Sequence, residues 1–183
     1  LYIMRQFGSP GRMVIYDLYM DSVIGERRWS FAELVYNPVT GRAYAFRRGW
    51  NNLIGVIDLY QDSLETVKAF RRVTDLALNT RQNQVWALLQ DTTIIVLDGD
   101  SLEPLDTLRF SAPQHRLLWL GRQNKLYSVA GDRITVISCP ERRVVRTITA
   151  PFRPGYLLFY NPRNDKLYLG SDSGLTVVRC DWD

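Results

Sequence analysis

An aromatic residue returns along this chain at Tyr2, Tyr44, Trp86, Tyr127 and Tyr168, a nearly constant period of about 41 residues. Around each aromatic the surrounding phrase returns as well. Tyr36-Asn37-Pro38-Val39-Thr40-Gly41-Arg42-Ala43-Tyr44 is echoed by Leu78 to Trp86, by Trp119 to Tyr127 and by Tyr160 to Tyr168. Asn-Pro starts a turn, because proline fixes φ and the asparagine side chain bonds nearby backbone. Gly41 supplies a positive φ before the chain runs back. After each aromatic comes a polar loop and then a β-branched run: Met13 to Tyr16, Ile54 to Ile57, Thr93 to Leu97, Ile134 to Ile137 and Leu175 to Val178. Branching at Cβ favours extended backbone. An acidic turn follows, clearest at Asp58 to Ser63 and Asp98 to Ser101, and an alternating segment closes the unit. Four short strands therefore occupy each period.

A leucine-rich repeat is shorter and has one strand per unit, and a helical solenoid of this period carries a 3.6-residue pattern. Four strands in each period predict instead the blade of a β-propeller. The expected fold is all-β, about five four-stranded antiparallel blades within one domain spanning 1–183. The units fall at about 1–29, 31–70, 72–110, 114–148 and 155–183. The first unit lacks its innermost strand and the last its outermost. Apolar residues at consecutive positions, as in Leu76-Ala77-Leu78 and Leu157-Leu158-Phe159-Tyr160, mark the innermost strands as covered on both faces. The recurrent aromatics are expected to fill the gaps between blades.

The phrase Tyr160-Asn161-Pro162 to Lys166-Leu167-Tyr168, with residues 125–148, resembles the YVTN-type β-propeller family. The resemblance covers the chain as a blade consensus, although the third and fourth copies lack the Asn-Pro pair. It implies a propeller serving as a surface module, a binding scaffold or a redox-enzyme subunit, in a secreted, periplasmic or cell-surface setting. Seven blades are usual in that family, so five units imply an arc or a subset. A chain that opens on Leu1 in mid-repeat is also expected to be a processed or excised piece.

Charge narrows the partners. The 23 Lys+Arg against 19 Asp+Glu, a net +4, are spread along the sequence without a basic arm, so nucleic acid is not expected. No apolar run approaches the ~20 residues of a membrane-spanning helix, so membrane insertion is not expected. His115 is the sole histidine, which leaves no multi-histidine metal centre in this chain. No Gly-x-Ser-x-Gly elbow is present. Cys139 and Cys180, one period apart, hold equivalent positions in successive blades and are expected to remain unpaired thiols. No cofactor, metal site or catalytic residue is assigned.

The most distinctive surface chemistry lies at the loops between second and third strands and at the connectors between blades. Arg47-Arg48-Gly49-Trp50-Asn51-Asn52 combines guanidinium, indole and amide in the longest such loop of a complete unit, with Arg71 and Arg72 in the following connector and His115 in a later one. Arginine and tryptophan are frequent anchors of protein interfaces. Arg47, Arg48, Trp50, Asn51, Arg71, Arg72 and His115 are accordingly the expected binding residues. The competing reading is that these arginines keep strand edges soluble. Glu33 and Asp75 are the only inner-strand acids placed near the expected channel. The sequence thus favours a non-enzymatic propeller module that binds a protein partner, or further blades. The alternative is a lactonase-like, lyase-like or quinoprotein-associated enzyme propeller. An open arc would expose apolar end faces, so association with another copy or with further blades is expected over an isolated monomer.

Overall fold

Antiparallel hairpins account for the regular structure of the chain. The computed structural model describes residues 2–5, 12–17, 20–27, 31, 33–47, 51–90, 92–150, 157–171 and 174–180. Among them there are eighteen strands and no helix. Strands β1 (Tyr2–Arg5), β2 (Arg12–Asp17) and β3 (Ser22–Arg27) form the first sheet. The second holds β4 (Glu33–Asn37), β5 (Arg42–Arg47), β6 (Asn51–Asp58) and β7 (Ser63–Ala69). The third holds β8 (Val73–Asn79), β9 (Gln84–Leu89), β10 (Thr93–Asp98) and β11 (Pro104–Arg109). The fourth holds β12 (Leu117–Leu120), β13 (Lys125–Ala130), β14 (Arg133–Ser138) and β15 (Arg143–Thr149). The fifth holds β16 (Leu157–Asn161), β17 (Lys166–Ser171) and β18 (Gly174–Arg179). Within every sheet the strands lie in chain order. The sheets match the five expected units, complete in the middle and three-stranded at either end.

Turn chemistry explains why each unit closes on itself. Gly41, Asn83, Asn124 and Asp165, each one period from the last, all have positive φ, between 49° and 71°. That is the left-handed region that glycine, asparagine and aspartate tolerate best. At Gly41 a Cβ would meet the ring of the exposed Tyr60, which can swing aside, so the positive φ is what favours glycine there. The asparagine that opens the turn caps it: Asn37 Oδ1 accepts from Val39 N at 3.0 Å, Asn79 Oδ1 from Arg81 N at 3.0 Å, and Asn161 Oδ1 from Arg163 N at 3.0 Å. The turn between third and fourth strands uses the same device. Asp58 Oδ1 accepts from Tyr60 N at 2.7 Å and Asp98 Oδ1 from Ser101 N at 2.8 Å. Each third–fourth pairing also slips by one residue, between Ile15 and Tyr16, Val56 and Ile57, Val96 and Leu97, and Val136 and Ile137. A bulge repeated at one place in every unit is built into the repeat and sharpens the twist of the outer strand.

The chain divides into two compact units, Leu1–Val73 and Thr74–Asp183. In the first, Ala43, Ala45 and Ile57 form a small core with Phe31, Leu34 and Leu59, and the Phe31 ring lies over Gly55, where a Cβ would force it to shift. In the second, one core joins Ala77, Trp86, Leu88, Ile94 and Val96 of the third sheet to Leu117, Leu126, Ile137 and Cys139 of the fourth. Another joins Tyr127, Val129, Ile134 and Val136 of the fourth sheet to Leu167, Leu169, Val178 and Cys180 of the fifth. The sheets of this unit therefore pack face to face, with Trp86 and Tyr127 in the gaps where the repeat places them. Tyr168, one period on, is only half-buried and meets Phe159 at a ring-centroid distance of 6.3 Å.

One expectation holds only in part. Leu76-Ala77-Leu78 on β8 is buried as expected, but Tyr36 on β4 and Phe159 on β16 are 50% and 57% exposed, whereas the second strand β9 is buried at all six positions. A second strand has paired strands on both edges as well as sheets over its faces. An innermost strand has one open edge, so apolar sequence there does not guarantee cover.

Candidate functional site

The antiparallel order sorts the loops of each sheet to two ends. One end carries the first–second and third–fourth turns, and the other carries the second–third loop and the connector to the next unit. The expected binding residues of the second sheet gather at the latter end. Arg47 closes β5 and Asn51 opens β6, and the two are paired across the ladder. Leu53 pairs with Ala69, which brings the end of β7, and with it Arg71 and Arg72, to that same end. Arg47 and Asn51 are thus strand residues flanking a short loop, rather than members of a long one. Arg48 and Trp50, together with the side chains of Arg47 and Asn51, lie outside the described residues. Arg71 and Arg72 are exposed, and Arg72 has a positive φ of 43°.

His115 occupies the corresponding end of the fourth sheet. Its backbone N–H donates to Val129 O at 2.7 Å, which pins the connector, while the residue itself is exposed. It is in the unit Thr74–Asp183, whereas Arg47, Arg48, Trp50, Asn51, Arg71 and Arg72 belong to Leu1–Val73.

Asp75 is the inner-strand acid that chemistry could most readily have used, and the fold uses it. It is buried, and its Oδ2 accepts from Leu117 N of the next sheet at 2.9 Å while Oδ1 accepts from Leu76 N at 3.1 Å. Arg116 Nη1 stands 3.8 Å from the same carboxylate. A buried carboxylate holding two backbone donors is a tie between sheets. Among the described residues no group of three or more His, Cys, Asp or Glu is placed to hold a metal ion.

The turn end carries a polar network that reading the turns as solvated basic residues misses. Asn79 Nδ2 donates to Asn124 Oδ1 at 2.9 Å and to Gln82 Oε1 at 2.8 Å, and Trp119 Nε1 donates to Asn124 Oδ1 at 3.2 Å. One sheet further on, Gln123 Nε2 donates to both oxygens of Asp165, at 2.6 and 2.8 Å, and Tyr160 Oη donates to Oδ1 at 2.6 Å. These bonds, the Tyr160 hydroxyl foremost, hold the Asp165 carboxyl below its ordinary range despite burial. The signal was present in the sequence: Gln82 and Gln123, like Asn83, Asn124 and Asp165, recur one period apart. Cys139 and Cys180 are buried and not disulfide-bonded, and burial pushes the Cys139 thiol up to about 12.

No protein-family model matches the chain, and no curated protein is similar enough in sequence to match it. Solved structures do match. Sqt1 of Saccharomyces cerevisiae is 10% identical with a TM-score of 0.74, covering 93% of this chain and 53% of that one. A chain of a mitotic checkpoint complex is 18% identical with a TM-score of 0.71, covering 95% and 60%. The dihydro-heme d1 dehydrogenase NirN is 12% identical with a TM-score of 0.81, covering 98% and 41%. These neighbours are β-propeller proteins, and the repeated antiparallel sheets define the present chain as a β-propeller fold. At such identities the likeness concerns the fold alone. The chain spans about half the length of the structures it matches.

Proposed function

We propose that this chain is a non-enzymatic β-propeller module that recognises a protein partner. The loop-and-connector end of the second sheet forms the contact surface, with Arg47, Arg48, Trp50 and Asn51 beside Arg71 and Arg72. The observation that carries the reading is the register of that sheet. The Arg47–Asn51 and Leu53–Ala69 pairings bring the end of β5, the start of β6 and the end of β7 to one end of the sheet, where the exposed Arg71 and Arg72 follow, and this supports the reading. Arginine and tryptophan lose little adaptability on docking and dominate interface energetics, so such a cluster is suited to a protein surface. The use of Asp75 as a tie between sheets supports a binding role over a catalytic one, since each of its carboxylate oxygens already accepts a backbone N–H. Two of the structural neighbours point the same way only by analogy, one of them being part of a multiprotein checkpoint complex.

The test replaces Arg48 and Trp50 by alanine, and separately Arg71 and Arg72. Immobilised chain is then exposed to extract from the organism that encodes it, and retained proteins are quantified by mass spectrometry. The reading expects specific partners to be lost from both double variants, with melting temperatures unchanged. Retention of the same proteins at the same levels by both variants would refute it.

A further inference from the structure

Asp98-Gly99 is the one Asp-Gly pair in the sequence, and no Asn-Gly pair occurs. A linkage of this kind is open to attack from within, because glycine has no Cβ to shield its nitrogen from the preceding carboxyl. At the same point of the repeat the second sheet has Asp58-Leu59, with a bulky second residue, and the fourth has Ser138-Cys139, with no carboxyl.

Packing accounts for the glycine. The residue after the turn opener donates its N–H to the positive-φ residue of the first–second turn in its own sheet: Leu59 N to Gly41 O at 3.1 Å, Gly99 N to Asn83 O at 2.8 Å, Cys139 N to Asn124 O at 3.2 Å and Cys180 N to Asp165 O at 2.9 Å. Gly99 comes closest, and a Cβ there would stand 2.6 Å from the same backbone oxygen. The aspartate is held for another reason. Its Oδ1 accepts from Ser101 N at 2.8 Å, Ser101 Oγ at 2.9 Å and Asp100 N at 3.0 Å, which folds the chain back towards β11. Leu102 N donates to Asp98 O and Asp98 N to Glu103 O, both at 2.9 Å, and Leu102 is fully buried.

We propose that Asp98-Gly99 is a fold-gated modification site: the closed β10–β11 turn suppresses rearrangement of Asp98 to isoaspartate, and opening of the turn releases it. In this reaction Gly99 N attacks Asp98 Cγ. The N–Cγ bond forms, and the carboxyl's hydroxyl departs with the amide proton as water, leaving a five-membered imide. Water then adds at Asp98 C and the C–N bond to Gly99 breaks. The chain now runs through Cβ and Cγ, with the α-carboxylate hanging free. One water leaves and one enters, so the mass is unchanged and no other reactant is needed.

Three features of the folded turn oppose the first step. The Gly99 N–H is engaged by Asn83 O, so the nitrogen is held away from the carboxyl. Three donors pin the carboxyl that would be attacked. Those donors, Ser101 N foremost, also keep it ionised below its ordinary range, and a carboxylate is a poor electrophile. The product removes the gate. An extra backbone methylene puts the bonds of Ser101 and Leu102 out of register, so the turn cannot reclose with Leu102 buried. A transient opening of the third sheet's outer hairpin thereby becomes a permanent mark. The site shares no residue with the contact surface proposed above.

The test ages the whole chain at neutral pH with and without denaturing urea. The tryptic peptide 82–109 is then sequenced by electron-transfer fragmentation, which separates isoaspartate from aspartate, with Asp106-Thr107 of the same peptide as comparator. Isoaspartate is expected at residue 98 in urea, and to form at least about tenfold more slowly in the folded chain, where the bonds to the carboxylate must first open. Ser101→Ala removes the Oγ bond to Asp98 and the one from Glu103 N at 3.2 Å. It should speed the reaction about fivefold in the folded chain and leave the rate in urea unchanged. A melting curve confirms that this variant is folded during ageing, and the wild-type comparison decides the proposal without it. The aged chain carrying isoaspartate, isolated by ion exchange, should have a lower urea midpoint. Equal rates in folded and unfolded chain would overturn the proposal, as would no isoaspartate at residue 98 in urea. No acceleration in folded Ser101→Ala, or an unchanged midpoint for the isoaspartyl form, would overturn it as well.

Discussion

Replacing Asn124 tests whether the turn network is a structural joint between repeats. Its side chain accepts from Asn79 at 2.9 Å and from Trp119 at 3.2 Å, and donates to Gln82 at 3.4 Å, while its backbone sits at a φ of 51°. Asn124→Ala removes all three bonds and forces a Cβ-bearing residue without a polar side chain into the left-handed region. The two shorter bonds contribute about 1 kcal/mol each. The backbone conformation costs about 1–2 kcal/mol for alanine. The expected loss is about 3–4 kcal/mol, or a fall in melting temperature of about 10 °C for a chain of this size. Asn124→Gly loses the same bonds but not the strain, offset by about 0.4–1 kcal/mol of added freedom in the unfolded chain. It should therefore be milder than alanine by about 0.5–1 kcal/mol. Asn124→Asp keeps the acceptor and tolerates the conformation, so its loss should stay below about 1 kcal/mol. Urea unfolding followed by tryptophan fluorescence reports all three, since Trp119 belongs to the network. Equal stability of the alanine and glycine variants, or a loss under about 1 kcal/mol for both, would refute the reasoning.

Three further outcomes follow from the same structure. Trp86→Ala should cost about 3–5 kcal/mol in urea unfolding, because Trp86 is fully buried between sheets, whereas Trp86→Phe should cost markedly less, since the Nε1–H is buried without a partner. The carboxyls of Asp98, bonded chiefly by Ser101 N, and of Asp165, bonded chiefly by Tyr160 Oη, titrate below their ordinary value of 3.8. Each stabilises the fold fully above the unfolded carboxylate range and loses that contribution as pH falls through the folded value, so the urea midpoint should drop between neutral pH and about pH 3. Asp165→Asn should flatten part of that drop. Cys139, with its thiol pushed up to about 12 by burial, should resist iodoacetamide in the folded chain near pH 8 and react readily in urea. Equal labelling rates in both conditions would contradict its burial.

Much of the fold could be read directly because its signals are local and repeated. The aromatic period located all five sheets, and Asn37-Pro38 and Gly41 announced a turn whose geometry recurs at Asn83, Asn124 and Asp165. Degree of cover was less legible. Leu157-Leu158-Phe159 reads as an enclosed strand, yet Phe159 is largely exposed, because enclosure depends on a neighbouring sheet and not on the strand's own residues. Ties between sheets were the least legible, because they join residues a full period apart. Nothing near Asp75 in the sequence announces that it will hold Leu117 N, and the bond from Gln123 to Asp165 shows in the sequence only as recurrence at the repeat period. The chemistry of the expected binding residues was legible, while the register that brings Arg71 and Arg72 to the same sheet end as the β5–β6 loop became visible only through the Leu53–Ala69 pairing.

Native-state hydrogen exchange resolved to single amides tests the central claim, a chain built of repeated antiparallel sheets, most directly. Protection should peak on the second strands β9 and β13, which have partners on both edges, and recur with the period of the repeat. Protection without that period would contradict the account.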